Sequence, residues 1–237
     1  MFKPWRSPAF RVQALAVLVA AFAMTAMLIL RDTVDQRFNQ RTAVALGADL
    51  ILEGTRFPEP AQRQQLAETR HTESVKFSSV LVNDDSFLLA SIRAVSAGFP
   101  LYGEIQISDS RFADPYPVDH GPQPGHVWIA GTGLDRLGLQ TGEFITLGKR
   151  SLLIDKVIVQ EPDQQAGFYS MNPRALIHID DLQQAAILGE GSRYRHNILD
   201  AAGDPTRKQL ESRLTPGLRP DQELETVANT ELRSRGP

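Results

Sequence analysis

The chain has 237 residues, 42% of them hydrophobic, so it can bury a real core, and its net charge of −3 supplies no basic stripe for nucleic acid. It has no cysteine, which excludes disulfide scaffolds, thiolate metal sites and cysteine nucleophiles. The five histidines, His71, His120, His126, His178 and His196, show no HxH or HExxH spacing, so they read as surface or half-buried side chains rather than zinc ligands. Lys and Arg are spread along the chain and read as a solvated surface.

Residues 14 to 30, ALAVLVAAFAMTAMLIL, hold no charge and a single polar side chain, Thr25. As a helix this run would span roughly 26 Å, close to the lower limit for crossing a hydrocarbon core. A cleaved signal peptide and a buried core helix are the alternatives. The small residues Ala21, Ala23 and Ala26 lie inside the apolar run rather than after it, which favours an uncleaved anchor. Lys3, Arg6 and Arg11 on one side balance Arg31, Arg37 and Arg41 on the other, so charge alone leaves the orientation open. The expectation is an N-terminus inside.

After Arg31 the helix is expected to continue as an amphipathic stalk, with Val34, Phe38, Ala45 and Leu46 on one stripe and Gly47 as its stop. A short strand is predicted over Asp49–Glu53, then a helix opened by Pro60 and running to about Arg70. Val75–Val82 and Phe87–Val95 read as a hairpin around Asn83-Asp84-Asp85-Ser86, and Gly103–Ile107 as a further strand. The proline-rich stretch Arg111–Gly125 reads as a surface loop or lobe junction. His126–Ala130 is a predicted strand, Thr132–Leu137 a short helix ended by Gly138, and Glu143–Leu147 with Leu152–Val159 a hairpin, together forming a small, mostly antiparallel lobe. Ala175–Ile179 and Tyr194–Leu199 add strands, and Pro205–Leu214 a helix. This mixture predicts an α+β fold, two-lobed, with residues 1–47 as N-terminal tail, membrane helix and stalk and residues 48–237 as the extracytoplasmic domain.

The order of these pieces resembles the FtsX/MacB-type family of ABC transporter permeases, in its YbbP-like branch. The stretches that carry the resemblance are ALGADLILEG (45–54), GFPLYGEIQI (98–107), HVWIAGTGLDRLGLQTGEFITLG (126–148), GFYSMNPRALIHIDDL (167–182) and GSRYRHNIL (191–199). The resemblance implies a first membrane helix, a large periplasmic core domain and further membrane helices. No run after Leu30 is apolar for eighteen positions, so the resemblance makes this chain a fragment of a permease or a truncated relative.

Candidate chemistry is sparse. Gly131-Thr132-Gly133 precedes a helix, but Arg136 stands where a third glycine would be needed and no GK[ST] follows, so a turn is the better reading. Ser170 and Ser192 lack the GxSxG elbow. Asp84-Asp85 reads as a turn and Asp180-Asp181 as a helix start. Phe99, Leu101 and Tyr102, with Phe168-Tyr169, read either as core or as an exposed partner-binding patch. No catalytic, cofactor-binding or metal-binding residue is assigned, and no enzyme activity is expected.

The resemblance implies a permease component of an ABC transport system in the bacterial inner membrane. It would couple a separate ATP-binding subunit to export or extraction of a lipid- or lipoprotein-type substrate. A second permease copy and a periplasmic substrate or accessory protein are the further partners it suggests. The alternative is a single-span anchored periplasmic binding or assembly module acting without transport.

Overall fold

The computed structural model describes residues 22, 24, 25, 27, 47–84, 86–162, 172–189 and 191–226. The chain divides into Met1–Thr42 and Ala43–Pro237. In the first unit Phe22, Met24, Thr25 and Met27 are helical and exposed. Most of the apolar run Ala14–Leu30, the stalk up to Leu46, Asp85, Phe168-Tyr169 and Ser170 lie outside the described residues. Among the described residues no helix is long and apolar enough to cross a membrane.

Among the described residues the second unit holds eleven strands and four short α-helices. In chain order they are β1 (Leu50–Gly54), α1 (Pro60–Leu66), β2 (His71–Asn83), β3 (Ser86–Val95), β4 (Ile105–Ser108), β5 (Tyr116–Val118), β6 (His126–Ala130), α2 (Gly131–Leu137), β7 (Phe144–Leu147), β8 (Arg150–Gln160), β9 (Arg174–His178), α3 (Ile179–Ala185), β10 (Tyr194–Asp200), α4 (Asp204–Leu214) and β11 (Gln222–Thr226). All the strands belong to one sheet, ordered β11-β1-β10-β2-β3-β9-β6-β8-β4-β5, with β7 paired to both β2 and β8. The α+β expectation is met, with short helices around a mixed sheet.

Two lobes share this sheet. The first is β1-α1-β2 followed, after a long insertion, by β10-α4-β11. Its strands lie in the order β11-β1-β10-β2, all antiparallel, the arrangement of a split β-α-β fold. Leu66 of α1 with Leu210 and Leu214 of α4 pack on Leu50, Leu52 and Ile198. Pro60 suits the first turn of α1, and the Glu59 amide donates to Gln62 Oε1 at 3.1 Å. Here α1 ends at Leu66 rather than near Arg70. The next residues are claimed by the sheet, since the Ala201 amide donates to the Arg70 carbonyl and His71 pairs with Asp200.

The second lobe lies between them. Strands β2-β3-β9-β6-β8-β7 form a ring that closes because β7 bonds β8 on one side and β2 on the other. The β3–β9 and β6–β8 pairs are parallel. Residues alternate about the ring, so Val75, Phe77, Leu81, Ile92, Ile129, Ile145, Ile154 and Ile177 fill its interior with Leu134, Leu137 and Leu182 from α2 and α3. Outside it, β4 and β5 help cover a second cluster containing Phe99, Ile105, Ile107, Trp128 and Leu176. The strand expected from Gly103 begins instead at Ile105, because Gly103 sits at φ +77°, a left-handed conformation that a strand does not accommodate.

The turn Gly148-Lys149 of the β7–β8 hairpin docks against α3, where the Lys149 amide donates to the Ala185 carbonyl at 3.0 Å. Gly148 has φ +57°, and a Cβ there would fall on that carbonyl oxygen. Gly138, the left-handed cap of α2, has φ +67° but open space around it. Gly148→Ala is therefore expected to combine backbone strain with a clash and to cost roughly 3 kcal/mol, against about 1 kcal/mol for Gly138→Ala. Urea unfolding of the two variants checks the order, and equal costs would refute it.

Candidate functional site

The outer face of the β10-β2-β3-β9 sheet carries a cleft of about 740 Å³. Among its described lining residues the cations are Lys76, Arg93, Arg174, Arg193 and Arg195, and the carboxylate is Glu161. Strand register explains the concentration. Arg195 on β10 pairs with Lys76 on β2, which pairs with Arg93 on β3. One rung further, Ser78 pairs with Ser91 and Ser91 with Arg174 of β9. The floor is thus a rung of three cations beside a rung of two hydroxyls and a guanidinium.

Like charges directly opposite one another weaken a sheet, so the cleft has countermeasures. Glu161, immediately after β8, is buried and lies 3.4 Å from Arg93 Nη1 and 3.3 Å from Arg174 Nη1. Arg93 is 7% exposed, and its guanidinium sits 4.4 Å from the centre of the Phe99 ring. Arg195 leans toward Glu53 at the rim, at 3.3 Å. One buried carboxylate therefore serves two arginines. Glu161→Gln would remove the carboxylate that Arg93 and Arg174 share and should cost roughly 3 kcal/mol of stability. Thermal and chemical denaturation measure this, and an unchanged stability would mean that solvent already screens the pair.

A second polar cluster lies at the other end of β10. Asp200 is fully buried, accepts a hydrogen bond from Thr69 Oγ1 and has no partner for Oδ1 among the described residues. Burial pushes its carboxyl above the ordinary value, with the Asp49 charge adding to the effect and Thr69 and His71 opposing it. Tyr102 donates to Asp49 at 2.6 Å, and burial with that bond raises its phenol. Nearby, Glu73 meets the buried His196 at 3.0 Å and Arg63 at 3.1 Å. Burial raises the Glu73 carboxyl, but the His196 bond and the surrounding charges outweigh it and leave it below normal.

For an acid whose folded pKa is raised, the native state binds the proton more tightly than the unfolded chain, so ionisation at neutral pH is a cost that protonation relieves. Asp200→Asn should therefore be more stable than the parent at pH 7. The difference should shrink as pH falls through the raised pKa of Asp200. Denaturation midpoints of both proteins between pH 4 and 7 test this, and a constant difference would refute it.

The residues singled out in the sequence have other roles. Phe99 and Leu101 are 2% and 6% exposed and belong to cores, which rules out a patch built on them. Gly131 and Gly133 start α2 and allow close packing, since a Cβ on Gly133 would meet Ile129 at 2.8 Å and Pro173 at 3.1 Å. Asp84 is in a turn with φ +44°. Asp181 is fully buried, accepting from the Gly125 amide at 2.8 Å and pairing with Arg150 at 3.1 Å, while Asp180 starts α3 with its amide donating to His178 Nδ1. Ser192 accepts from the Gly189 amide. Among the described residues no group of three His, Asp or Glu is placed to hold a metal ion. The reading of Lys and Arg as an evenly solvated surface missed the cleft, because its cations are far apart in sequence and only the register assembles them.

No protein-family model matches the chain. It is 26% identical over 226 residues to the uncharacterized ABC transporter permease YbbP of Escherichia coli K12, an alignment covering 93% of this chain and 27% of that relative. The chain thus spans about a quarter of the length of the curated relative it matches. Among solved structures, the periplasmic region of MacB from Actinobacillus actinomycetemcomitans superposes with a TM-score of 0.53 at 10% identity, covering 82% of this chain and 96% of that one. The extracellular domain of the noncanonic ABC-type transporter YknZ from Gram-positive bacteria gives 0.49 at 9% identity, covering 75% and 100%. Similarity along nearly the whole sequence and a shared fold point the same way: the chain is similar to an ABC transporter permease, and its described domain has the fold of the MacB periplasmic region.

Proposed function

We propose that this chain is the membrane-anchored, extracytoplasmic part of an ABC transport permease, coupling a separate ATP-binding subunit to export or extraction of a lipid- or lipoprotein-type substrate. The observation that carries this reading is the 26% identity to a permease sustained over 93% of the chain. Residues 1–47 would then form the cytoplasmic tail, the membrane helix and the stalk in the inner membrane, and residues 48–237 the periplasmic domain. The absence of an assigned catalytic group suits a component whose energy comes from ATP hydrolysis elsewhere, and the apolar run Ala14–Leu30 suits an anchor.

The test is affinity capture of the tagged chain, and of a version extended by whatever reading frame follows Pro237, from gently solubilised membranes. Recovery of a P-loop ATPase with either form is the expected result. Capture of both forms with no nucleotide-binding subunit would overturn the permease role and favour a free anchored module.

A further inference from the structure

Asp200 ends β10 at the point where β1, β2 and the turn after α1 meet. Its carbonyl accepts from the Asp49 amide at 2.9 Å, and its backbone pairs with Leu50 of β1 and His71 of β2. Its side chain reaches Thr69 in the turn between α1 and β2, and the next amide, that of Ala201, donates to the Arg70 carbonyl of the same turn. The side chain is fully buried. A carboxylate so placed stays charged only with a cation or several hydrogen-bond donors around it. Among the described residues no donor reaches Oδ1, and the charges that act on the group are Asp49, of like sign, and His71.

The hydroxyl of Thr69 decides how this group is held. It has one proton and lies within bonding distance of two acceptors, the Leu66 carbonyl at 3.0 Å and Asp200 Oδ2. The carbonyl can only accept. With Asp200 ionised, one proton must serve both oxygens. With a proton on Oδ2, Asp200 donates to Thr69 Oγ1, Thr69 donates to Leu66, and both bonds form. The other hydroxyl of the cluster gives no help, because Tyr102 donates to Asp49 at 2.6 Å.

From this count we infer that Asp200 is a proton-binding site: a proton on Oδ2 fastens the α1–β2 turn to β10 and β1, and its release frees that turn. Ionisation would put a second negative charge near Asp49 in a buried place and leave Thr69 with two acceptors for one proton. The simplest relief is for the Thr69-Arg70 turn to lift and admit water. Burial, which raises the Asp200 carboxyl, acts in the same direction. The lock is therefore set in acid and released as pH rises through the raised pKa, the reverse of a salt bridge, which acid breaks. Movement of the turn has a route outward. Arg70 Nη2 donates to the Leu101 carbonyl at 2.7 Å and the guanidinium lies over the Tyr102 ring, so the loop that carries Tyr102 is tied to the same turn. The other charges around it are held in pairs of their own, Glu73 with His196 and Arg63, and Glu68 with Arg213 of α4.

The test follows the full chain in phosphatidylcholine nanodiscs by hydrogen exchange and mass spectrometry between about pH 5 and 8, with rates corrected for the intrinsic effect of pH. Peptides spanning Leu66–His71 should open more as pH rises, by up to about tenfold per pH unit once Asp200 ionises, the slope of one linked proton. Asp200→Asn keeps the shape and turns an amide donor toward Thr69 Oγ1, so the turn should stay closed and the slope should vanish. His71→Gln should keep the slope. Independently, the carboxyl carbon of Asp200 in the parent chain, followed by carbon-13 NMR, should titrate above those of exposed aspartates.

An Asp200 carboxyl that titrates together with the exposed ones would overturn the proposal. So would a slope that survives Asp200→Asn, or one that disappears in His71→Gln, since that assigns the proton to the imidazole. The carbon resonance is read on the unmutated chain, so a variant that fails to fold does not leave the question open. None of these results depends on whether an ATPase is captured or what the cargo is, so the two readings fail separately.

Discussion

Strand β2 has more neighbours than a single strand can serve at one point along its length, and the domain is organised around how it divides them. Its first seven residues, His71 to Phe77, bond β10 and so belong to the split β-α-β lobe. Its far end, Leu81 and Val82, bonds β7 and closes the ring. On its other edge β3 follows it throughout from Ser74 to Asn83. Because side chains alternate with a period of two, a single register fixes both surfaces of both lobes. Val75, Phe77 and Leu81 must go inside, so Lys76, Ser78, Val80 and Val82 must go out. A slip of one residue would put a lysine into the ring core and two core aliphatics into water. The hydrophobic interior therefore dictates the chemistry of the exterior.

The cleft illustrates how a sheet tolerates charge that it would not choose for stability. Arg195, Lys76 and Arg93 face one another across three strands, an arrangement that repels. Burying Glu161 between Arg93 and Arg174 and stacking Arg93 on Phe99 offset part of the repulsion. Packing alone would be served by a threonine or valine at these outward positions. Proteins commonly carry such local violations of stability where a site has a ligand to meet.

Much of the fold was legible from local chemistry. Alternation and turn residues located the β2–β3 hairpin, Pro60 and Pro205 the starts of α1 and α4, and Gly138 the end of α2. What stayed hidden depends on partners distant in sequence. The polar start of β2, His71-Thr72-Glu73-Ser74, has little strand signal and is extended because β10 bonds it. The same holds for Gln222-Glu223-Leu224-Glu225-Thr226, a strand only because β1 lies beside it. The two parallel pairs likewise leave no local trace. The candidate site was the least legible part, since each of its cations is an ordinary surface residue until the register sets them side by side.

The split construction also bears on how the domain comes to exist. Strand β1 is made early, yet both of its neighbours, β10 through Asp200 and β11 through Thr226, come from the end of the described chain. The ring lobe between them can draw on the β2–β3 and β7–β8 hairpins, whose ends meet at small loop-closure cost. The flanking lobe cannot form until β10 and β11 have been synthesised, and its contacts are among the longest-range of the described residues. An emerging chain would thus hold Leu50, Ile51 and Leu52 as an unpaired apolar strand until β10 is made, the kind of segment that aggregates if left bare. Assembly from the middle outward makes the arrival of β11 the event that seals β1.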